Sequence, residues 1–418
     1  MAKLLWTQKQ DIGPEPRASH AMVFDASRKV VLLFGGLAAG NRTLSDTWSW
    51  DGEDWTQLQD MGPSSRFAHA MAYDSVRQRT VLFGGASGND TFGDTWEWDG
   101  DSWTQTQDIG PSARGQHAMA FDVARNRVVL FGGESNGTSQ SDTWVWDGSD
   151  WSQVEDTGPS ARRGHAMTYD TVRARTVLFG GVGDVGGQNA PTLGDTWEWD
   201  GTNWKHIQDI GPAAATGAAM VFRSATSALF GGISALANAP GSKLFGLTWE
   251  WNGHLWTARQ DMGVGARFDH AMAFDSTRGR VVLFGGRSDP IADSGLKGDT
   301  WEHADVAAQQ PPPGGGGPIP VASIDATPNP VHIGETLVVT IRLALVGPPV
   351  PNLVILGGDF SFGGPGTPTT VTVPAAQDTF VFSMPILPAN VGVPLPVSAS
   401  MTATSGGVTK SVTITTLQ

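Results

Sequence analysis

His117, Met119 and Phe121 alternate with Ala118 and Ala120, the period-two pattern of a strand with room for only small residues on one face. Val128–Phe131 follows as an apolar run and stops at Gly132-Gly133, where the turn needs backbone angles that a β-carbon resists. Thr143–Trp146 predicts a third strand, Asp147-Gly148 a tight hairpin, and Trp151–Val154 a fourth strand. This group of four occurs six times, each copy led by a glycine: Gly13, Gly62, Gly110, Gly158, Gly211 and Gly263. A four-stranded unit of about fifty residues cannot cover its own faces. Radial stacking covers them, so the pattern predicts an all-β, six-bladed propeller with the alternating strand innermost.

Tryptophan positions predict how the ring closes. Repeats one to five hold three each, whereas the sixth holds only Trp301, with His303 where a second is expected and no fourth strand before a Pro/Gly run. Leu5-Trp6-Thr7-Gln8 matches the fourth-strand phrases Trp55-Thr56-Gln57 and Trp103-Thr104-Gln105. Residues 4–10 are therefore expected to complete blade six and leave no open sheet edge.

All 17 tryptophans lie between Trp6 and Trp301, so composition changes where the repeats stop. The expected domains are a propeller over 1–308, a Pro/Gly linker over 309–318 and a second body over 319–418. In that last body Leu337, Val339, Ile341 and Leu343 alternate with Val338, Thr340, Arg342 and Ala344. With similar alternation around Phe380, Met401 and Ile414, this predicts an immunoglobulin-like β-sandwich that lacks the usual cysteine pair and buried tryptophan.

A net charge of -14 repels phosphate backbones, and no basic stripe offsets it, which argues against nucleic acid as a partner. Cysteine is absent, removing disulfides, thiolate nucleophiles and thiolate metal ligands together. No stretch approaches the roughly 20 apolar residues that span a bilayer, and Met1–Trp6 carries no signal-peptide pattern. The two-body layout nevertheless leads us to expect an extracellular or cell-surface location.

Val81-Leu82-Phe83-Gly84-Gly85 and Asp94-Thr95-Trp96-Glu97-Trp98-Asp99-Gly100 resemble kelch repeats, particularly the tryptophan-rich form of bacterial proteins, over about residues 1–303. The final hundred residues resemble, more weakly, immunoglobulin-like modules appended to bacterial surface and secreted proteins. Among kelch-like enzymes, galactose oxidase needs a copper site with a crosslinked cysteine and tyrosine. Here there is no cysteine, and Tyr73 and Tyr169 stand where other repeats have phenylalanine, so that chemistry is excluded. The six-bladed sialic acid mutarotases are closer in blade number, which keeps a carbohydrate-active enzyme as an alternative.

Arg17, Arg66, Arg114, Arg162 and Arg267 open the first strands, three residues ahead of His20, His69, His117, His165 and His270. Histidines around an axis have the chemistry to ligate a metal. A residue repeated in five blades is better explained by each blade's own geometry, so no metal or cofactor is expected. Blade five loses the set together, with Ala215, Ala218 and Leu247 in place of the arginine, histidine and strand-three aspartate, and Arg223 in place of the first hairpin's aspartate. Half of a buried ion pair costs roughly 3–5 kcal/mol. Joint loss therefore predicts that the arginines pair with Asp46, Asp94, Asp142, Asp195 and Asp299. Asp25 and Arg28, and their counterparts at the same spacing, are expected to hold the first hairpins.

No nucleophile triad, phosphate loop, zinc spacing or calcium loop occurs, so no catalytic residue is nominated. The connections between second and third strands lengthen in blades four to six, to Val182–Gly194, Ile233–Gly246 and Arg287–Gly298, and all leave one face. Candidate binding residues there are Asp184, Gln188, Asn189, Lys243, Arg287, Asp289, Asp293 and Lys297. The expectation is a non-enzymatic binding or structural protein of a bacterial surface, secreted or phage-like assembly, recognising a protein or glycan through these loops. The alternatives are a mutarotase-type enzyme and a structural subunit that self-associates through its C-terminal domain.

Overall fold

A computed structural model describes residues 3–9, 12–59, 61–107, 109–155, 157–184, 190–208, 210–234, 242–290 and 295–304, and beyond them only the backbone of strands within 321–417. Two compact units result, Lys3–Gln309 and, together with residues 1 and 2, Gln310–Gln418. In the second unit three strands pair in the order Val321–Thr327, Thr336–Leu343, Thr379–Pro385. Five more pair in the order Val331–His332, Val408–Leu417, Val397–Ser405, Asn352–Gly358, Thr369–Val373. The linker expected at 309–318 lies outside the described residues.

The first unit is a ring of six antiparallel sheets. Blade three shows the plan, with Ala118–Asp122 innermost, then Arg127–Phe131, Thr143–Trp146 and Trp151–Glu155. The innermost strand starts one residue later than the alternation suggests, because Gln116 holds a left-handed φ of 56° and interrupts the extended backbone ahead of it. Each innermost strand touches its two neighbours, and Ala21–Asp25 of blade one touches Ala271–Asp275 of blade six, so the ring is closed. Blade six consists of Ala271–Asp275, Arg280–Phe284, Thr300–Ala304 and the N-terminal strand Lys3–Gln8, in which Trp6 pairs with His303. Gln260–Met262 runs parallel along the outside of Lys3–Leu5 and covers that edge.

Between blades the same contacts repeat. Trp50, Trp98, Trp146, Trp199 and Trp251 are almost completely buried, and each packs on the outer-strand tryptophan of its own blade. Those outer tryptophans reach one blade back: the Trp103 indole N–H donates to Thr47 Oγ1 at 3.0 Å, and Trp55, Trp151, Trp204 and Trp256 donate likewise to Thr300, Thr95, Thr143 and Thr196.

The contact between blades five and six breaks this series. Trp6 Nε1 and Thr248 Oγ1 have no partner there, and a small void lies between Trp6, Phe230, Thr248, Met272 and His303. His303 replaces the buried tryptophan and meets Arg223 at 3.0 Å, while Arg223 also pairs with Glu250. The arginine that stands in the hairpin of blade five and the histidine that stands in blade six are therefore one paired exchange.

Trp6 is 4% exposed and carries the N-terminal strand into the contact with blade five, against Val221, Ala228 and Phe230. Trp6→Ala should lower stability by about 3–5 kcal/mol, as for other buried tryptophans. Urea unfolding followed by tryptophan fluorescence measures it, and a loss under about 1 kcal/mol would show that the seam does not hold the ring.

Candidate functional site

The site starts from a buried arginine. Arg66 donates from Nη1 to Asp94 Oδ1 at 2.6 Å and to the Gly84 carbonyl at 2.9 Å, and from Nη2 to Asp94 Oδ2 at 2.9 Å. Arg17, Arg114, Arg162 and Arg267 repeat this with Asp46, Asp142, Asp195 and Asp299, always within one blade. Each aspartate also accepts the indole N–H of the tryptophan two residues on, as Asp94 does from Trp96 at 2.7 Å. Burial alone would raise these carboxyls, but the arginine and indole bonds outweigh it and hold all five below the ordinary carboxylate range. In blade five Ala215 is buried beside Ile207 and Phe245, and Leu247 points outward, so apolar packing replaces the ion pair.

The arginine sets the backbone before it enters the innermost strand. The Arg66 carbonyl accepts the N–H of Gly36 in the preceding blade at 2.9 Å, and a β-carbon on Gly35 would lie 2.7 Å from that carbonyl. This is why the second strand must end in two glycines. Two residues past the arginine, the chain turns left-handed in every blade, at Ser19, Ala68, Gln116, Gly164, Gly217 and Asp269. Their backbones form a closed circle, each N–H donating to the carbonyl one blade back at 2.8 to 3.0 Å, with Ser19 completing it on Asp269.

This circle frames a cavity of about 310 Å³ on the axis. Ser19, Gln116, Thr216 and Asp269 supply its polar side chains, and Phe67, Phe268 and Ile233 its apolar wall. The five histidines follow one residue later, buried, each edge-on to a phenylalanine of the previous blade, as His69 is to Phe34 at 5.5 Å. Burial first, then the neighbouring arginine, push His69, His165 and His270 down to about 3, and lower His20 and His117 likewise. Neutral imidazoles whose nitrogens are closed off act here as packing groups. Among the described residues no three acidic, histidine or cysteine side chains are arranged to hold a metal.

Asp269 runs opposite to the five arginine-paired aspartates. Burial pushes its carboxyl up to about 6, against the pull of Arg287 and a hydrogen bond with Ser19. Of the loop residues nominated from sequence, Arg287 therefore acts on the axial cavity, from a position bridged to Phe268. Lys297 lies in the same loop, with its carbonyl accepting the Arg17 N–H at 3.0 Å, and Asp289 packs against Gly295. Asp184 and Lys243 are exposed on the loops of blades four and five. Gln188, Asn189 and Asp293 lie outside the described residues. The axial residues Ser19, Gln116, Thr216 and Asp269 were not singled out from sequence. The available signal was variation, since the position before each histidine changes identity while its surroundings repeat.

Two outcomes test this arrangement. Arg66→Ala should destabilise by about 3–5 kcal/mol, and adding Asp94→Leu, the blade-five solution, should recover part of the loss; a double variant worse than the single one would contradict the pairing. The histidines give a second test. Their folded pKa values are depressed, so their contribution is complete above the unfolded value of roughly 6.5 and is lost as pH falls from there toward about 3. Each should remove about 1.4 kcal/mol per pH unit in that window. His69→Phe should therefore flatten the pH dependence of the urea midpoint below pH 6, and an unchanged slope would mean that His69 titrates normally.

Residues 1–181 match the model of the KLHDC2/KLHL20/DRC7 kelch-repeats domain. No curated protein matches the chain. Among the described residues no helix is long and apolar enough to cross a membrane. The match stops within blade four, but blades five and six keep the strand order, the Gly-Gly turn and the axial circle of inter-blade hydrogen bonds. The first unit is thus a six-bladed propeller, and its residues 1–181 match kelch repeats.

Proposed function

We propose that the chain is a protein-binding module whose partner docks on the face that carries the axial mouth and the long loops of blades four to six. A kelch propeller serves in protein binding or as a structural body, and the face is chosen by one observation: at the circle position the repeats stop repeating. Serine, alanine, glutamine and aspartate are held there in left-handed backbone that glycine would adopt more easily. Side chains kept at that cost around a cavity support recognition. The 310–418 unit, read as an immunoglobulin-like sandwich, then serves as the attachment body, with export to a cell surface as part of the same proposal.

The test exchanges the three long loops for the short connection of blade two, 86–93, and compares the variant with Val76→Asp/Val172→Asp, which alters exposed residues on the opposite face. Partners crosslinked to the wild type should be lost on the loop exchange and kept on the opposite-face variant. Equal capture by both would remove this face from consideration. Binding confined to a glycan array would favour the carbohydrate reading, and anomer interconversion of a sugar the enzyme alternative.

A further inference from the structure

Every arginine that opens an innermost strand is neutralised by an aspartate of its own blade. Asp269 is a carboxylate of the axial cavity with no cation within ion-pair distance among the described residues. It sits in a prepared place. A β-carbon at Gly217 would lie 2.5 Å from Asp269 Oδ1, so the glycine of blade five gives the carboxylate its room, while Ser19 of blade one bonds it from the other side. The charge that acts on it is Arg287, on its own blade; Arg17 and Arg267 are committed to Asp46 and Asp299, and His20 and His270 are neutral. Phe268 precedes it in the chain, and Phe67 and Gln116 line the same cavity from blades two and three.

We infer that the axial mouth receives one primary ammonium group of the partner, held by the Asp269 carboxylate in the cavity lined by Phe67 and Phe268. This rests on the reading that the axial face is the binding face, and deepens it by naming what enters. An ammonium brings three donors and a positive charge to a cavity whose one charged side chain is the Asp269 carboxylate, and its charge suits a chain of net charge -14. A carboxylate ligand would meet Asp269 with like charge and find no unpaired cation in the lining. A guanidinium would also find both Asp269 oxygens in one plane, as Arg66 finds those of Asp94, so n-butylguanidinium binding as tightly as n-butylammonium would overturn the choice of an ammonium.

The experiment titrates the whole chain, selectively carbon-13 labelled at aspartate carboxyls, with n-butylammonium, and with n-butanol and valerate as neutral and anionic counterparts. Butylammonium should shift the Asp269 signal saturably and lower its midpoint by at least one pH unit, with the effect fading below pH 6. Butanol and valerate should leave it in place. Asp269→Asn, which keeps the shape and suits the left-handed backbone, should abolish the response measured by calorimetry, and Asp90→Asn, an exposed acid on the same side, should retain it. A blocked pentapeptide with one central lysine, set against unblocked pentaglycine, separates a side-chain ammonium from a chain terminus. Valerate or butanol acting as well as the amine, or Asp269→Asn responding like wild type, would overturn the inference. Partners that leave on loop exchange but stay bound to Asp269→Asn would remove this inference alone, and an amine that binds a chain with no partner on this face would remove the functional reading alone.

Discussion

The inner end of each blade depends on how the backbone is held where it enters the innermost strand. Five blades hold it with a buried guanidinium that spans the strand-two carbonyl and the strand-three aspartate, so one side chain fixes three strands at once. Leaving such a charge unpaired is expensive. Blade five shows that the charge itself is dispensable: Ala215 still gives its carbonyl to Gly181, and Gly217 still joins the axial circle. What all six blades share is therefore the main-chain position, which an ion pair or a plug of Ala215, Ile207 and Phe245 can enforce equally. The glycine pair follows from the same requirement, since it lies against the next blade's carbonyl and histidine.

From that position the ring assembles outward. The axial circle joins neighbours at the centre, the tryptophan-to-threonine bonds join them at mid-radius, and the hairpin arginines join them on the far face. Arg77, Arg173 and Arg278 each link their hairpin aspartate to Glu97, Glu198 or Glu302, which in turn accept the indole N–H of Trp146, Trp251 or Trp50 in the following blade. Only every second contact carries this chain, because Ser49 and Val145 stand at the glutamate position of blades one and three, and Trp199 Nε1 is left without a partner. At the seam the glutamate remains but serves Arg223 and Arg259 instead. Closure thus occurs where the repeated bonds are fewest, and it is assisted by Gln260–Met262 along the outer edge.

Much of this was legible in the sequence, because it depends on residues that recur. Period, strand order, hairpin residues and the arginine–aspartate pairs all leave copies, and the joint loss in blade five identified the pairs as partners. The coupling of Arg223 to His303 was not legible, since each reads as a separate irregularity until the ring brings them within 3.0 Å. The axial circle was hidden for a deeper reason. It is made by main-chain groups, which impose no residue type beyond tolerance of a left-handed turn, so its side chains are free to differ. A search for repeated chemistry passes over such a position. The loop residues fared in between: Arg287 is joined to the cavity through its charge, whereas Asp184 and Lys243 are only placed on exposed loops.

Asp269 brings stability and recognition into opposition. Its folded pKa is raised, so the folded state gains from it only below the ordinary carboxylate value, and that gain is lost as pH rises through about 6. At neutral pH the carboxylate is held ionised in a partly closed cavity at the expense of folding. The five paired aspartates run the other way, since their depressed values favour the folded state until pH falls through the acid range. A group that only served packing would have been paired like its neighbours, or replaced by the glycine that Gly164 and Gly217 supply at the same point of the circle. An ionised acid retained there, held only by Ser19 and the longer-range pull of Arg287, is strain that the proposed ammonium would relieve, and the energy for recognition would then be stored in the unbound propeller before any partner arrives.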